Sequence, residues 1–123
     1  GVIDSSIIFL DEAIKMKPEF YQAHYNKGNA IAKGGKFNDA IPHYMKALEL
    51  KPGYTDAQLN LGNCYAAMSD YKNALIWYRK VEEQEPMNHK VLVNIGITYK
   101  FLGDEANAAA YLQKAEKVKG GNP

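Results

Sequence analysis

A single cysteine, Cys64, stands in the 123 residues, so no disulfide can form within the chain. The missing disulfide framework fits a reducing, cytoplasmic setting. No apolar stretch approaches the roughly 20 residues that cross a bilayer. The longest, Ile7-Ile8-Phe9-Leu10, is interrupted by Asp11 and Glu12, so membrane insertion is not expected. Charge of one sign is not in excess: 15 basic residues against 14 acidic ones leave a net +1. That balance supplies no bulk attraction to nucleic acid or to an anionic membrane. A signal peptide is not visible and no initiator Met heads the chain, so an excerpt or processed form is expected.

The groups needed for site chemistry are also sparse. His24, His43 and His89 have no metal-ligand spacing among themselves, and one Cys cannot complete a four-coordinate zinc site. Asp11-Glu12, Glu82-Glu83 and Glu85 read as a solvated outer face rather than as carboxyls facing one another across a cleft. Gly34-Gly35 and Gly120-Gly121 match no phosphate-binding loop. No base can be named to activate Cys64, which sits beside Gly62 and reads as a packed core residue. The expectation is of no catalytic residue, no metal and no cofactor.

What the chain has is a period. Shifted by 34 residues, Gly28, Gly62 and Gly96 coincide, as do Asn26, Asn60 and Asn94. Ala40, Ala74 and Ala108 coincide too, and Pro18, Pro52 and Pro86 fall on the same grid. Each unit reads as two helices. The first runs from Phe20 to Lys33, from Thr55 to Met68 and from His89 to Leu102. The second runs from Asn38 to Leu50, from Lys72 to Glu83 and from Ala106 to Val118. Gly34-Gly35-Lys36, Ser69-Asp70 and Gly103-Asp104 mark the turns, with Asp70 and Asp104 placed to cap the next helix. Pro42 falls near the first turn of its helix, where a missing N–H costs least. A glycine inside a helix costs about 1 kcal/mol against alanine. Three at one column imply a neighbouring helix too close for a Cβ.

The middle unit carries Gln58, Leu61-Gly62, Tyr65, Ala74, Tyr78, Val81 and Pro86. The first carries His24, Lys27-Gly28, Ile31, Ala40, Tyr44, Ala47 and Pro52, and the third Leu92, Ile95-Gly96, Tyr99, Ala108, Leu112 and Ala115. These residues resemble the tetratricopeptide repeat family. Lys27 departs from the family's Leu and is expected to snorkel. Gly120 replaces the last Pro, which suggests that the chain ends or turns there. Leu10, Ala13 and Pro18 match second-helix columns, and Gly1 matches the turn column. The units are therefore residues 1–20 (the second helix of a preceding unit), 21–54, 55–88 and 89–122. The resemblance implies an all-α, right-handed superhelical solenoid of antiparallel helix pairs, about seven helices in one domain.

It also implies a protein–protein interaction module whose first helices line a concave groove for an extended peptide. Helical spacing places Gln22, Tyr25, Asn26, Asn29 and Lys33 on one stripe. Asp56, Leu59, Asn60, Asn63 and Ala67 form the next, and Lys90, Val93, Asn94, Ile97 and Phe101 the third. Asn26, Asn60 and Asn94 make a ladder whose amides suit a peptide backbone, with Asn29 and Asn63 assisting. It is similar to the asparagine ladder in the tetratricopeptide region of O-linked N-acetylglucosamine transferases. Lys33, Lys90 and Lys100 favour acidic side chains of a partner, while Ile97 and Phe101 offer an apolar anchor. The carboxylate clamp of chaperone-binding relatives is matched at Asn29, Asn60 and Lys90 only. Tyr25 and Asn94 stand where it needs cations, so a true clamp is not expected. Two other roles remain open: a scaffold that self-associates through uncapped ends, and the targeting arm of a larger enzyme.

Overall fold

A computed structural model describes residues 2–17 and 20–121, with side chains from Ser5 to Lys17 and from Phe20 to Lys119. Among the described residues there are seven helices and no strand: α1 (Val2–Met16), α2 (Tyr21–Lys33), α3 (Phe37–Leu50), α4 (Thr55–Ala67), α5 (Tyr71–Gln84), α6 (His89–Phe101) and α7 (Glu105–Gly121). The expected roles of Gly1 and Pro18 lie outside the described residues. Each helix packs on the next in chain order, and α2 also meets α4. This is an all-α solenoid, in which each pair borrows its core from its neighbours.

Two buried clusters run along it. One joins Ala40, Tyr44, Ala47 and Leu48 of α3 to Ala57, Leu61 and Cys64 of α4. The other joins Ala74, Tyr78 and Val81 of α5 to Val91, Leu92 and Ile95 of α6 and Ala115 of α7. Tyr65 packs against both. The repeated glycines are indeed close approaches. A Cβ on Gly28 would meet the Tyr44 ring at 2.8 Å, one on Gly62 the Tyr78 ring at 2.7 Å, and one on Gly96 the Leu112 side chain at 2.8 Å.

The turns within pairs repeat in detail. Gly35, Ser69 and Gly103 occupy one column and all have positive φ, at 84°, 62° and 84°. Just beyond them, Asp70 N–H donates to Tyr65 O at 2.8 Å and Asp104 N–H to Tyr99 O at 2.9 Å. Asp70 then accepts from Asn73 N–H at 3.3 Å, and Asp104 from Asn107 N–H at 3.1 Å. With Lys36, Asp70 and Asp104 just outside the helix, the second helices start one residue earlier than expected, at Phe37, Tyr71 and Glu105.

Three expectations need correction. Pro42 is the sixth residue of α3, one residue deeper than expected and past the first turn. It removes the N–H that would have met Asn38 O, but Pro42 and Asn38 are exposed, so water can serve that carbonyl. The chain does not turn at Gly120, because α7 runs on to Gly121 where no proline stops it. Lys27 does more than snorkel: its ammonium is paired with Asp11 of α1, tying that helix to α2.

Candidate functional site: an amide-lined groove

The first-helix stripes do not present equivalent asparagines. Tyr44 Oη–H donates to Asn29 Oδ1 at 2.6 Å, and Tyr78 Oη–H donates to Asn63 Oδ1 at 2.5 Å. Asn60 Nδ2 spends its two hydrogens inside the protein, on Asn29 Oδ1 at 2.9 Å and on Tyr25 Oη at 3.1 Å. Tyr44 and Tyr78 are buried in the core. Burial pushes both phenols up, Tyr78 to about 12, with the neighbouring Cys64 adding to it. Both hydroxyls therefore keep their protons at neutral pH and act as donors. Each such bond contributes about 1 kcal/mol net, and leaving a buried hydroxyl without one would cost more.

These bonds surround a recess of about 250 Å³ between α2 and α4. It is lined by Asn29, Ala32 and Lys33 of α2, Phe37 and Tyr44 of α3, and Asn60, Asn63 and Cys64 of α4. Cys64 is a buried part of this lining, and burial pushes the thiol up to about 11, so it is a neutral packing group.

Apart from Lys33, the other site residues lie outside the recess. Asn26, Lys33, Lys90 and Lys100 are exposed and Asn94 is half-buried. The main-chain oxygen of Asn94 accepts from Thr98 Oγ1 at 2.6 Å. Ile97 is 43% and Phe101 64% exposed, whereas Val93 packs into the second core cluster. The Phe101 ring stacks on Tyr71 of α5, with centroids 4.7 Å apart and planes within 3°. The structure thus brings Asn29, Asn60, Asn63 and Lys33 together around one recess and leaves Ile97 and Phe101 as a separate apolar pair.

Sequence reasoning missed the braces Tyr25, Tyr44 and Tyr78, and Tyr71 under Phe101. A signal for two of them was present. Tyr44 pairs with Asn29 and Tyr78 with Asn63 at the same separation of 15 residues. In the third unit both members change together, to Leu112 and Ile97.

Among the described residues no group of three or more His, Cys, Asp or Glu could hold a metal ion. No described helix is long and apolar enough to cross a membrane. His89, at the start of α6, donates from Nδ1 to Ala115 O at 2.9 Å and so ties α6 to α7.

A model described as TPR repeat matches residues 28–69, and one described as tetratricopeptide repeat matches residues 55–86 and 89–122. The chain belongs to the tetratricopeptide repeat family. Its fold is similar to crystal structures of MamA. One superimposes with a TM-score of 0.92 at 25% identity, covering 97% of this chain and 70% of that one. A second gives 0.88 at 25% identity, covering 100% and 70%. MamA 41-end from Desulfovibrio magneticus RS-1 gives 0.89 at 20% identity, covering 97% and 67%. No curated protein matches the sequence. Tetratricopeptide units are interaction modules, and these likenesses support a protein–protein interaction module here.

Proposed function

We propose that the concave face holds an extended segment of a partner protein. The observation that carries this reading is the solvent-open pair Ile97 and Phe101 on a face that also carries Asn26, Asn60, Asn94, Lys33 and Lys90. An exposed aromatic ring already held flat against Tyr71 loses little freedom when a ligand side chain covers it. Lys33, Lys90 and Lys100 outnumber Asp56 along the same face, which favours acidic side chains. Asn26 and Asn94 lie outside the tyrosine-braced network and contribute amides to the ligand backbone.

The test uses random peptides of about 12 residues, long enough to span the three stripes in extended form. Peptides enriched on the immobilised protein are measured against the wild type and against Asn94→Ala with Phe101→Ala. Affinity should fall about tenfold or more in the variant, whose fold is checked by circular dichroism because Phe101→Ala also removes the ring stack on Tyr71. Enriched peptides that bind both proteins equally would take the groove out of the account.

A second reading, self-association, draws on α1, where Ile8 and Phe9 are 63% and 73% exposed. Sedimentation would then give a mass that rises with concentration and falls back in Phe9→Ser. A constant monomer mass would exclude it.

A further inference from the structure

The tyrosine braces decide which end of each groove asparagine is left for a ligand. A phenol is a better donor than acceptor, and the hydroxyls of Tyr44 and Tyr78 have Asn29 Oδ1 and Asn63 Oδ1 as their acceptors. Those two carbonyl ends are therefore turned into the protein. The amide ends remain, and neither Nδ2 has a partner among the described residues. Asn60 is oriented the opposite way. It meets the same Asn29 oxygen and must therefore present its NH2, which it spends on Asn29 and Tyr25. Only its carbonyl is left over. The recess thus offers four unspent N–H hydrogens from Asn29 and Asn63, and one acceptor on Asn60. Lys33 adds a positive charge, and among the described residues no carboxylate lines the recess.

We propose that the recess between α2 and α4 is a carboxylate subsite for a Glu or Asp side chain of the bound segment. Asn29 Nδ2 and Asn63 Nδ2 donate to its oxygens, and the Lys33 ammonium supplies the opposing charge. The proposal rests on the groove reading above and makes it specific. Phe37 and Cys64 are part of the lining and give the methylenes of the acidic side chain an apolar surface to rest on. The Asn60 carbonyl faces a donor, and a ligand main-chain N–H is the donor an extended segment brings there. Asn60 is accordingly a positioning residue as much as a contact. This subsite shares Asn29 with the clamp positions, but its other donors are Asn63 and Lys33, and it takes a side chain rather than a chain terminus.

The experiment uses three pools of acetylated, amidated peptides that are random apart from a central Glu, Gln or Lys and that contain no other acidic residue. Binding is read by chemical shifts of the 15N-labelled protein, including the side-chain NH2 signals of Asn29 and Asn63. The Glu pool should bind about tenfold tighter than the Gln pool and move both NH2 signals. The decisive variant is Asn29→Asp with Asn63→Asp. Each new carboxylate keeps an acceptor for its tyrosine, and for Asn60, while the groove-facing donors become acceptors. Preference should pass from the Glu pool to the Lys pool. If the double variant does not fold, Lys33→Gln, at an exposed position, should by itself cut the Glu preference severalfold.

Equal affinity for the Glu and Gln pools, with groove signals still moving, would overturn the subsite and leave the groove reading intact. A Glu preference unchanged by these variants would place the carboxylate on Lys90 or Lys100 instead and also overturn it. If no pool moves any groove signal, both readings fall.

Discussion

Replacing Gly62 with alanine sets two effects of opposite sign against each other. On an open helix the change gains about 1 kcal/mol in propensity. Here the new Cβ would lie 2.7 Å from Cδ1 and Cε1 of Tyr78. Carbon atoms in favourable contact stand about 3.5–4.0 Å apart, so the ring or the helix must retreat by roughly 1 Å. The ring has little room to do so, because it is buried and its hydroxyl is tied to Asn63 at 2.5 Å. Overpacking of this kind costs about 1–3 kcal/mol. The net expectation is a loss of about 1 kcal/mol.

Gly96→Ala is the internal control. Its Cβ would meet Cδ2 and Cγ of Leu112 at 2.8 Å, but Leu112 is half-buried and carries no polar tether. A rotamer change relieves that clash, so stability should stay within about 0.5 kcal/mol of wild type. The contact with a main-chain oxygen is 3.3 Å at both glycines and cancels in the comparison. Urea unfolding followed by Trp77 fluorescence reads the difference. With m near 2 kcal/mol/M the Gly62→Ala midpoint should fall by roughly 0.5 M. Circular dichroism recorded in parallel shows whether the stacked units unfold together, which repeat arrays do not always do. A Gly62→Ala protein as stable as Gly96→Ala would refute the claim that the tyrosine column, rather than general helix crowding, demands this glycine.

Two further predictions concern the turns. Ser69 alone among its column holds a positive φ with a side chain; Ser69→Gly should raise stability by about 0.5–1 kcal/mol, read as a higher urea midpoint. Asp104 has its carboxyl held below its ordinary value by the Asn107 side-chain amide first and the Asn107 N–H second. A carboxylate with a depressed folded-state value stabilises the fold above its unfolded value, near pH 4, and loses that contribution as pH falls through the lower, folded one. Wild type should therefore lose more stability below about pH 4 than Asp104→Ala does, and parallel acid curves for the two proteins would contradict this.

The stacked-pair architecture was legible in the residues because it follows from local chemistry repeated at fixed intervals. Alanines and glycines at matching columns require close helices, Asp70 and Asp104 start helices, and positive-φ turn residues stop them. None of these depends on a partner far away in the chain. Helix ends were less legible where a cue was missing: without a final proline, α7 continues through Gly120.

The candidate site was legible as a stripe but not in its polarity. Helical spacing put the asparagines on one face, yet it could not tell which oxygen or nitrogen each amide would have left for a ligand. That was settled by Tyr25, Tyr44 and Tyr78, of which Tyr44 and Tyr78 come from the second helices and reach the groove only when the pairs pack. A 34-residue rhythm is a property of the chain itself, since a helix and its caps answer to neighbours within a few residues. The direction of a buried hydrogen bond answers to whatever donor tertiary packing brings within 3 Å, and that is written in three dimensions alone.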